Sequence, residues 1–242
     1  MISQMQSATQ LSDEQKHSMS WGQFISSVLF AFFGTGLITL FLAILPLTIY
    51  TASLTNKKQI ALYESIANTA SIGLQLAMLL FFIFKFKPAK RLLLNSFNFK
   101  ALKEWRTYVY LLLFFAINII INYFLLNYVF QDATKQQSSA LNLDVFKQYQ
   151  ILLLLGFAIL TPIFEELIFR GFILHFFSER FPFWIAAVLT SFFFGIAHTY
   201  SLGVMVITFF MGLLMAILCK KTKSILPAML FHIINNTLAF FS

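Results

Sequence analysis

What the 242-residue chain has little of narrows its class first. It holds a single cysteine, Cys219, so neither an intramolecular disulfide framework nor a Cys-rich zinc module can be built. Charged residues make up only 11%, against about a quarter in a soluble domain. Hydrophobic residues reach 59% and the mean hydropathy is +0.80, which argues against a water-soluble globule and against a disordered chain. Acids are scarce, with nine Asp and Glu against 17 Lys and Arg. All three Asp residues, Asp13, Asp132 and Asp144, lie in polar stretches. Phenylalanine, by contrast, is abundant. The 32 Phe residues exceed what one compact core of this length can hold, so many must face lipid. A net charge of +8 would suggest a nucleic-acid partner in a soluble protein. Here the basic residues fall between apolar runs, as membrane topology requires, and no nucleic-acid partner is expected.

Apolar runs of about 20 residues read as transmembrane helices. They fall at 22–50, 62–86, 106–130, 148–178, 182–200, 202–219 and 224–241. The expected fold is all-α, a polytopic membrane bundle of about seven helices, eight at most. Four regions follow: a polar tail at 1–21, three spans over 22–130, a polar linker or lid at 131–147, and four spans over 148–242. The tail carries no signal-like pattern, and the first span is too long for a signal peptide's apolar core, so it is expected to stay on the protein. No internal repeat is evident.

Positive residues collect on the cytoplasmic side of a membrane. The loop between spans two and three carries Lys85, Lys87, Lys90, Arg91, Lys100, Lys103 and Arg106 against one acid, Glu104. That loop should be inside. Counting outward then puts Lys16, Arg180 and the Lys220, Lys221, Lys223 cluster inside too. Lys57, Lys58, Lys135 and Lys147 fall outside. The expectation is a multi-pass cell-membrane protein, surrounded by lipid, with a cytoplasmic N-terminus.

A charge within a span costs several kcal/mol or more unless paired, so it points to function. Of the six Glu residues, only Glu165 and Glu166 are read as intramembrane, and Arg170 is the only deep cation. All three occur in TPIFEELIFRG. Glu166 and Arg170 stand four apart on one helix face, acid before base, as such pairs prefer. Glu165 points about 100° away and has no partner nearby in sequence. A second carboxylate beside the first raises the cost of ionising both, so structure alone does not account for it. His198 ends the run SFFFGIAH, and His232 is followed by Asn236 on the same face. At about 1.5 Å per residue, Glu165 lies ~20 Å from its cytoplasmic turn, His198 ~23 Å, Asn236 ~18 Å and His232 ~12 Å. One layer can hold all four. Pro162 is expected to kink the helix there. His17 and His175 fall outside that layer, Asn235 reads as a helix-contact residue, and Cys219 as packing.

Two carboxylates, two imidazoles and an amide in a buried layer suit the activation of water for peptide hydrolysis. Alternatively, Glu165, His198 and His232 could ligate zinc with a position left open for water. Both remain open on the residues alone, and metal is expected not to be obligatory. A di-aspartyl protease is excluded, because no span carries Asp. No His is followed by Glu, so the H-E-x-x-H zinc motif is absent. A Ser191–His198 dyad would leave the Glu pair unexplained.

Three motifs carry a resemblance. Glu165-Glu166-Leu167-Ile168-Phe169-Arg170, then Phe194-Gly195-Ile196-Ala197-His198, then His232-Ile233-Ile234-Asn235-Asn236 resemble the CPBP family of CAAX proteases and bacteriocin-processing enzymes, also called the Abi family. The resemblance covers residues 148–241 and implies an intramembrane endopeptidase. It implies Glu165 as the base, Glu166 and Arg170 as its support, and His198, His232 and Asn236 as the groups orienting water and the oxyanion. Family members are often labelled metalloproteases, while a metal-free glutamate mechanism is argued for the prenyl-protein branch. By length, the chain is more similar to members linked to peptide processing. The expected substrate is a small membrane-associated peptide or protein leader. The alternative is a non-catalytic membrane protein of the same fold, conferring bacteriocin immunity or regulating a sensor. A proton-coupled carrier is a third reading, disfavoured by the absence of a repeat.

Overall fold

The computed structural model describes residues 17–140 and 149–241. Residues 1–16 of the expected tail and 141–147 of the expected linker lie outside the described residues. Among those described there are helices and turns and no strand. In chain order the helices are α1 (Trp21–Ala52), α2 (Lys57–Lys85), α3 (Lys87–Leu94), α4 (Trp105–Val129), α5 (Ala133–Ala140), α6 (Gln150–Ser178), α7 (Phe183–Ile196), α8 (Leu202–Thr222) and α9 (Leu226–Phe241). Five of them, α1, α2, α4, α6 and α8, are long and apolar enough to cross a membrane, and α7 and α9 are shorter apolar helices. The protein is a polytopic helical membrane bundle.

Local chemistry sets several of the ends. Ser20 caps α1 through a reciprocal pair: Gln23 N donates to Ser20 Oγ at 3.3 Å, and Ser20 N donates to Gln23 Oε1 at 3.0 Å. Asn56 accepts from the Lys58 and Gln59 amides at the start of α2, and Ser201 from Val204 N at the start of α8. Lys223 ends α8 in the left-handed conformation, with φ 51°. Pro227 then sits in the first turn of α9, where the missing N–H costs nothing.

Exposure grades across the bundle as a lipid solvent dictates. In the most apolar window of α1 only 17% of residues are buried, against 56% in α8. Phe33, Phe41, Leu42 and Ile49 of α1 point outward, as do Trp105 and Leu112 of α4. Such a surface is unstable in water and neutral in hydrocarbon. The core forms where α6, α7 and α8 meet, around Phe169, Phe176, Phe194, Met215 and Leu218.

Contacts between loops sort them into two ends. At one end, Ile225 N donates to Ser96 O at 3.0 Å and Asn98 N to Ser224 Oγ at 3.2 Å, joining the basic loop after α3 to the turn between α8 and α9. A Cβ on Gly171 of α6 would collide with Leu93 Cδ1 of α3, so α3 also lies against α6. Ser18 Oγ donates to Glu179 Oε1 at 2.5 Å, and Arg180 donates to Met19 O, which brings the start of α1 to the turn between α6 and α7. At the other end, Tyr149 Oη donates to Lys58 O at 2.8 Å, and Phe130 and Ala133 crowd Gly203. The loops expected on one side thus group together, and so do those expected on the other.

Two details differ from the sequence expectation. Glu64 lies inside α2, in its second turn, and is exposed there, so it is a third helical acid. The fifth span ends at Ile196 rather than 200. Fourteen residues rise about 21 Å, short of the ~30 Å of a hydrocarbon core. The turn after α7 therefore stops within the thickness of the bundle and carries His198 with it.

Candidate active site

The Glu pair sits in an unusual stretch of α6. Pro162 has no N–H to give and its ring crowds the preceding turn. The helix stays continuous by widening into a π turn over Leu154–Leu160, just before the proline, and into another over Leu167–Ile173, just after Glu166. Such turns gather at functional sites. Between them, Glu165 faces a partly open space while Glu166 is fully buried.

Glu166 is held from two sides. Arg170 Nη1 donates to its Oε1 at 2.6 Å, and His232 Nδ1 stands 3.0 Å from the same oxygen. Both side chains of the ion pair are 0% exposed. The guanidinium lies over the Phe194 ring, 4.3 Å from its centroid, and Nη2 reaches Gly212 O at 3.4 Å. The buried cation is thus met by a carboxylate, an aromatic face and a carbonyl, as a low-dielectric site demands, while Arg170 Nε and Glu166 Oε2 have no hydrogen-bond partner within the protein.

Glu165 has the opposite environment. His198 Nε2 lies 3.9 Å from its Oε1, and His232 Nε2 lies 3.7 Å from its Oε2. The far nitrogen of each ring is already engaged. His198 Nδ1 is 2.8 Å from Phe194 O, which can only accept, so that nitrogen carries the proton. His232 Nδ1 faces the Glu166 carboxylate in the same way. In the neutral rings both Nε2 atoms are therefore bare acceptors aimed at a carboxylate, itself an acceptor. The separations are too long for direct hydrogen bonds and suit a proton-bearing molecule between them. Glu165 Oε2 has no hydrogen-bond partner within the protein. Water is the simplest occupant of such a place.

The chemistry of this set, two imidazole nitrogens and a carboxylate with supported outer nitrogens, is one that zinc uses. Two ligands of a tetrahedral zinc lie about 3.4 Å apart; the Nε2 atoms of His198 and His232 stand 3.9 and 3.7 Å from opposite oxygens of Glu165, slightly wider than that. Among the described residues no three or more of His, Cys, Asp and Glu are arranged to hold a metal ion.

Asn236 lies on the face of α9 that carries His232, but its hydrogen bonds run to Phe157 and Asn235 rather than to Glu165. Its Nδ2 donates to Phe157 O at 3.2 Å, and its Oδ1 accepts from Asn235 at 3.3 Å. Asn235 in turn accepts from Asn118 Nδ2 at 3.0 Å, so it is a helix-contact residue, as its face suggested. His175 Nδ1 is tied to Arg170 O at 2.6 Å, and Cys219 is buried in the core. Ser191 is buried and donates to Ala187 O, with its Cβ against Gly212, so it forms no dyad. Asn118 was not singled out in the sequence, and Phe194 was named only as the first residue of the motif that ends in His198. An asparagine in the middle of an apolar span was the readable signal for the first; nothing distinguished Phe194 from the other phenylalanines as the ring under Arg170.

Residues 147–238 match the family described as Type II CAAX prenyl endopeptidase Rce1-like, a stretch holding all three motifs. A Bacillus subtilis protein named "Putative membrane peptidase YdiL" is 31% identical over 110 residues. That similarity covers 46% of this chain and 44% of the relative, so less than half of either is compared. No solved structure matches. Residues 147–238, which contain α6, α7, α8, most of α9 and the Glu165–His198–His232 cluster, are thus similar to the CAAX-type membrane endopeptidases, and the N-terminal part of the chain lies outside that match.

Proposed function

We propose that this protein is an intramembrane endopeptidase that cleaves small membrane-associated peptides or protein leaders with a water activated by Glu165. The observation that carries this reading is the pair of bare Nε2 atoms, His198 and His232, set 3.9 and 3.7 Å from the two oxygens of one carboxylate. A helix-packing role would bond those imidazoles directly to a donor.

The chain's own groups suffice for the steps. Water held by Glu165 and an imidazole loses a proton to the carboxylate as its oxygen attacks the scissile carbonyl carbon. Negative charge moves to the former carbonyl oxygen, which needs a donor, and the second side-chain N–H of Asn236 is the group that can supply it. The tetrahedral intermediate collapses, the C–N bond breaks, and the proton on Glu165 passes to the leaving amine. Glu166 and Arg170 never meet the peptide. Their part is to fix the His232 ring and its tautomer.

The basic end of the bundle is assigned to the cytoplasm on the positive-inside rule. Comparative peptidomics of cells carrying the native protein or Glu165→Gln, matched for expression, tests the function. Peptides should accumulate uncleaved in the variant. Identical peptide profiles, with any cellular phenotype retained, would favour a non-catalytic immunity or regulatory role.

A further inference from the structure

We infer that Asn118, on α4 and outside the segment matching the CAAX-protease family, is a positioning residue for the reaction, setting the orientation of the Asn236 amide through Asn235. The inference rests on the endopeptidase reading above and adds a part to it from the N-terminal half of the chain.

Three amides form one directed chain. Asn118 Nδ2 donates to Asn235 Oδ1 at 3.0 Å, Asn235 Nδ2 to Asn236 Oδ1 at 3.3 Å, and Asn236 Nδ2 to Phe157 O at 3.2 Å. The direction is not arbitrary. A backbone carbonyl can only accept, so Asn236 must turn its NH2 toward Phe157. Its oxygen then faces Asn235, whose NH2 must point there, and whose own oxygen must face a donor. Asn118 is that donor. It is 1% exposed, and the adjoining turn of α4 is pinned to α9 by Phe115 against Phe231, with ring centroids 5.0 Å apart.

The consequence falls on one hydrogen. An amide nitrogen carries two; Phe157 O takes one from Asn236. With its oxygen held by Asn235, the second N–H of Asn236 has a fixed direction on the face shared with His232, one helical turn away. That is the donor available to an oxyanion. Remove Asn118, and Asn235 loses the group that holds its oxygen, so the Asn235 amide can turn away and the Asn236 amide keeps only its bond to Phe157 O to orient it. A directed donor is worth far more in a transition state than a mobile one.

The experiment uses the full-length protein purified in detergent with a peptide substrate identified by peptidomics. Asn118→Leu should lower kcat about tenfold and leave KM within about twofold, the pattern of an interaction made in the transition state. Asn236→Ala should cost about 10²–10³ in kcat. In the Asn236→Ala background Asn118→Leu should add nothing, because the two act as a unit. Additive losses, or an unchanged kcat for Asn118→Leu, would overturn the inference. Asn118→Ala, which adds no bulk, repeats the measurement if the leucine variant does not fold. Glu165→Gln separates the two claims: if it turns over normally the peptidase reading fails, whereas a dead Glu165→Gln beside a fully active Asn118→Leu sinks the amide chain alone. Independently of turnover, the side-chain amide NMR signals of Asn235 and Asn236 should shift in Asn118→Leu, and unchanged signals would also overturn it.

Discussion

His232 and Glu166 meet through Nδ1 and Oε1 at 3.0 Å, on the same carboxylate oxygen that Arg170 holds at 2.6 Å. This one contact links the two halves of the site. It gives the imidazole a protonated Nδ1 and leaves its Nε2 facing Glu165 as an acceptor. The adjacent acids thus divide the work by environment: Glu166 is bonded through Oε1 to Arg170 and His232, whereas Glu165 meets its two imidazoles only at long distances; the second oxygen of each carboxylate has no hydrogen-bond partner within the protein.

The Glu166–Arg170 pair should be a stability element. Both groups are completely buried, and removing one partner strands the other, at a cost of about 3–5 kcal/mol. Arg170→Ala should lower the detergent-phase Tm and the membrane abundance markedly, while Glu165→Gln leaves both near native. A native Tm for Arg170→Ala would show that the pair is dispensable.

The two histidines should separate when stability and activity are read together. His198 sits on a turn, with a side chain 13% exposed, and bonds only its own helix end. His232 is 1% exposed and bonded to Glu166. Both alanine variants should abolish cleavage, but His232→Ala should also lose about 1–3 kcal/mol by leaving a buried carboxylate short of a partner. Chemical denaturation of each variant beside its activity checks this. Activity surviving in both would remove them from the mechanism.

Close approach of α7 and α8 should depend on glycine. A Cβ on Gly195 would stand 2.7 Å from Met205 O and 3.2 Å from Phe209 Cβ. The first of these is backbone and cannot swing aside. Small residues at such a seam let membrane helices pack at short range. Gly195→Ala should destabilise by about 1–3 kcal/mol and, being three residues from His198, should depress activity beyond the fraction unfolded. Gly22→Ala, at a position with open space, is the control and should be silent in both assays. Equal behaviour of the two variants would mean that the seam tolerates a methyl.

Much of this was legible in the sequence because a membrane restricts what a chain can do. Twenty-residue apolar runs have one reading, and a Glu-Glu-x-x-x-Arg within one demands explanation. The grouping of Ser96 with Ile225 and of Met19 with Arg180 follows the charge asymmetry of the loops. What was not legible depends on tertiary packing. Residue spacing put His198 on a helix, but α7 stops two residues earlier, and only the packed turn brings it to Glu165. Spacing likewise put Asn236 in the layer without revealing that Phe157 and Asn235 occupy it. The partner chosen by an amide is decided by three helices at once.

The metal question has a decisive measurement. The three candidate ligands come from α6, from the turn after α7 and from α9, so no short-spaced pair pre-forms a site. The imidazoles face opposite oxygens of Glu165 at distances wider than shared ligation requires. His198 and His232 are anchored by their outer nitrogens on the Phe194 carbonyl and the Glu166 carboxylate, and among the described residues no cluster of three or more His, Cys, Asp and Glu is arranged to hold a metal ion. Purified active protein should therefore contain zinc well below one ion per chain, and its rate should survive exhaustive chelation. Elemental analysis alongside chelation and metal return reads both. Stoichiometric zinc, lost with activity and restored with it, would make Glu165, His198 and His232 its ligands and replace the carboxylate-held water by a metal-held one.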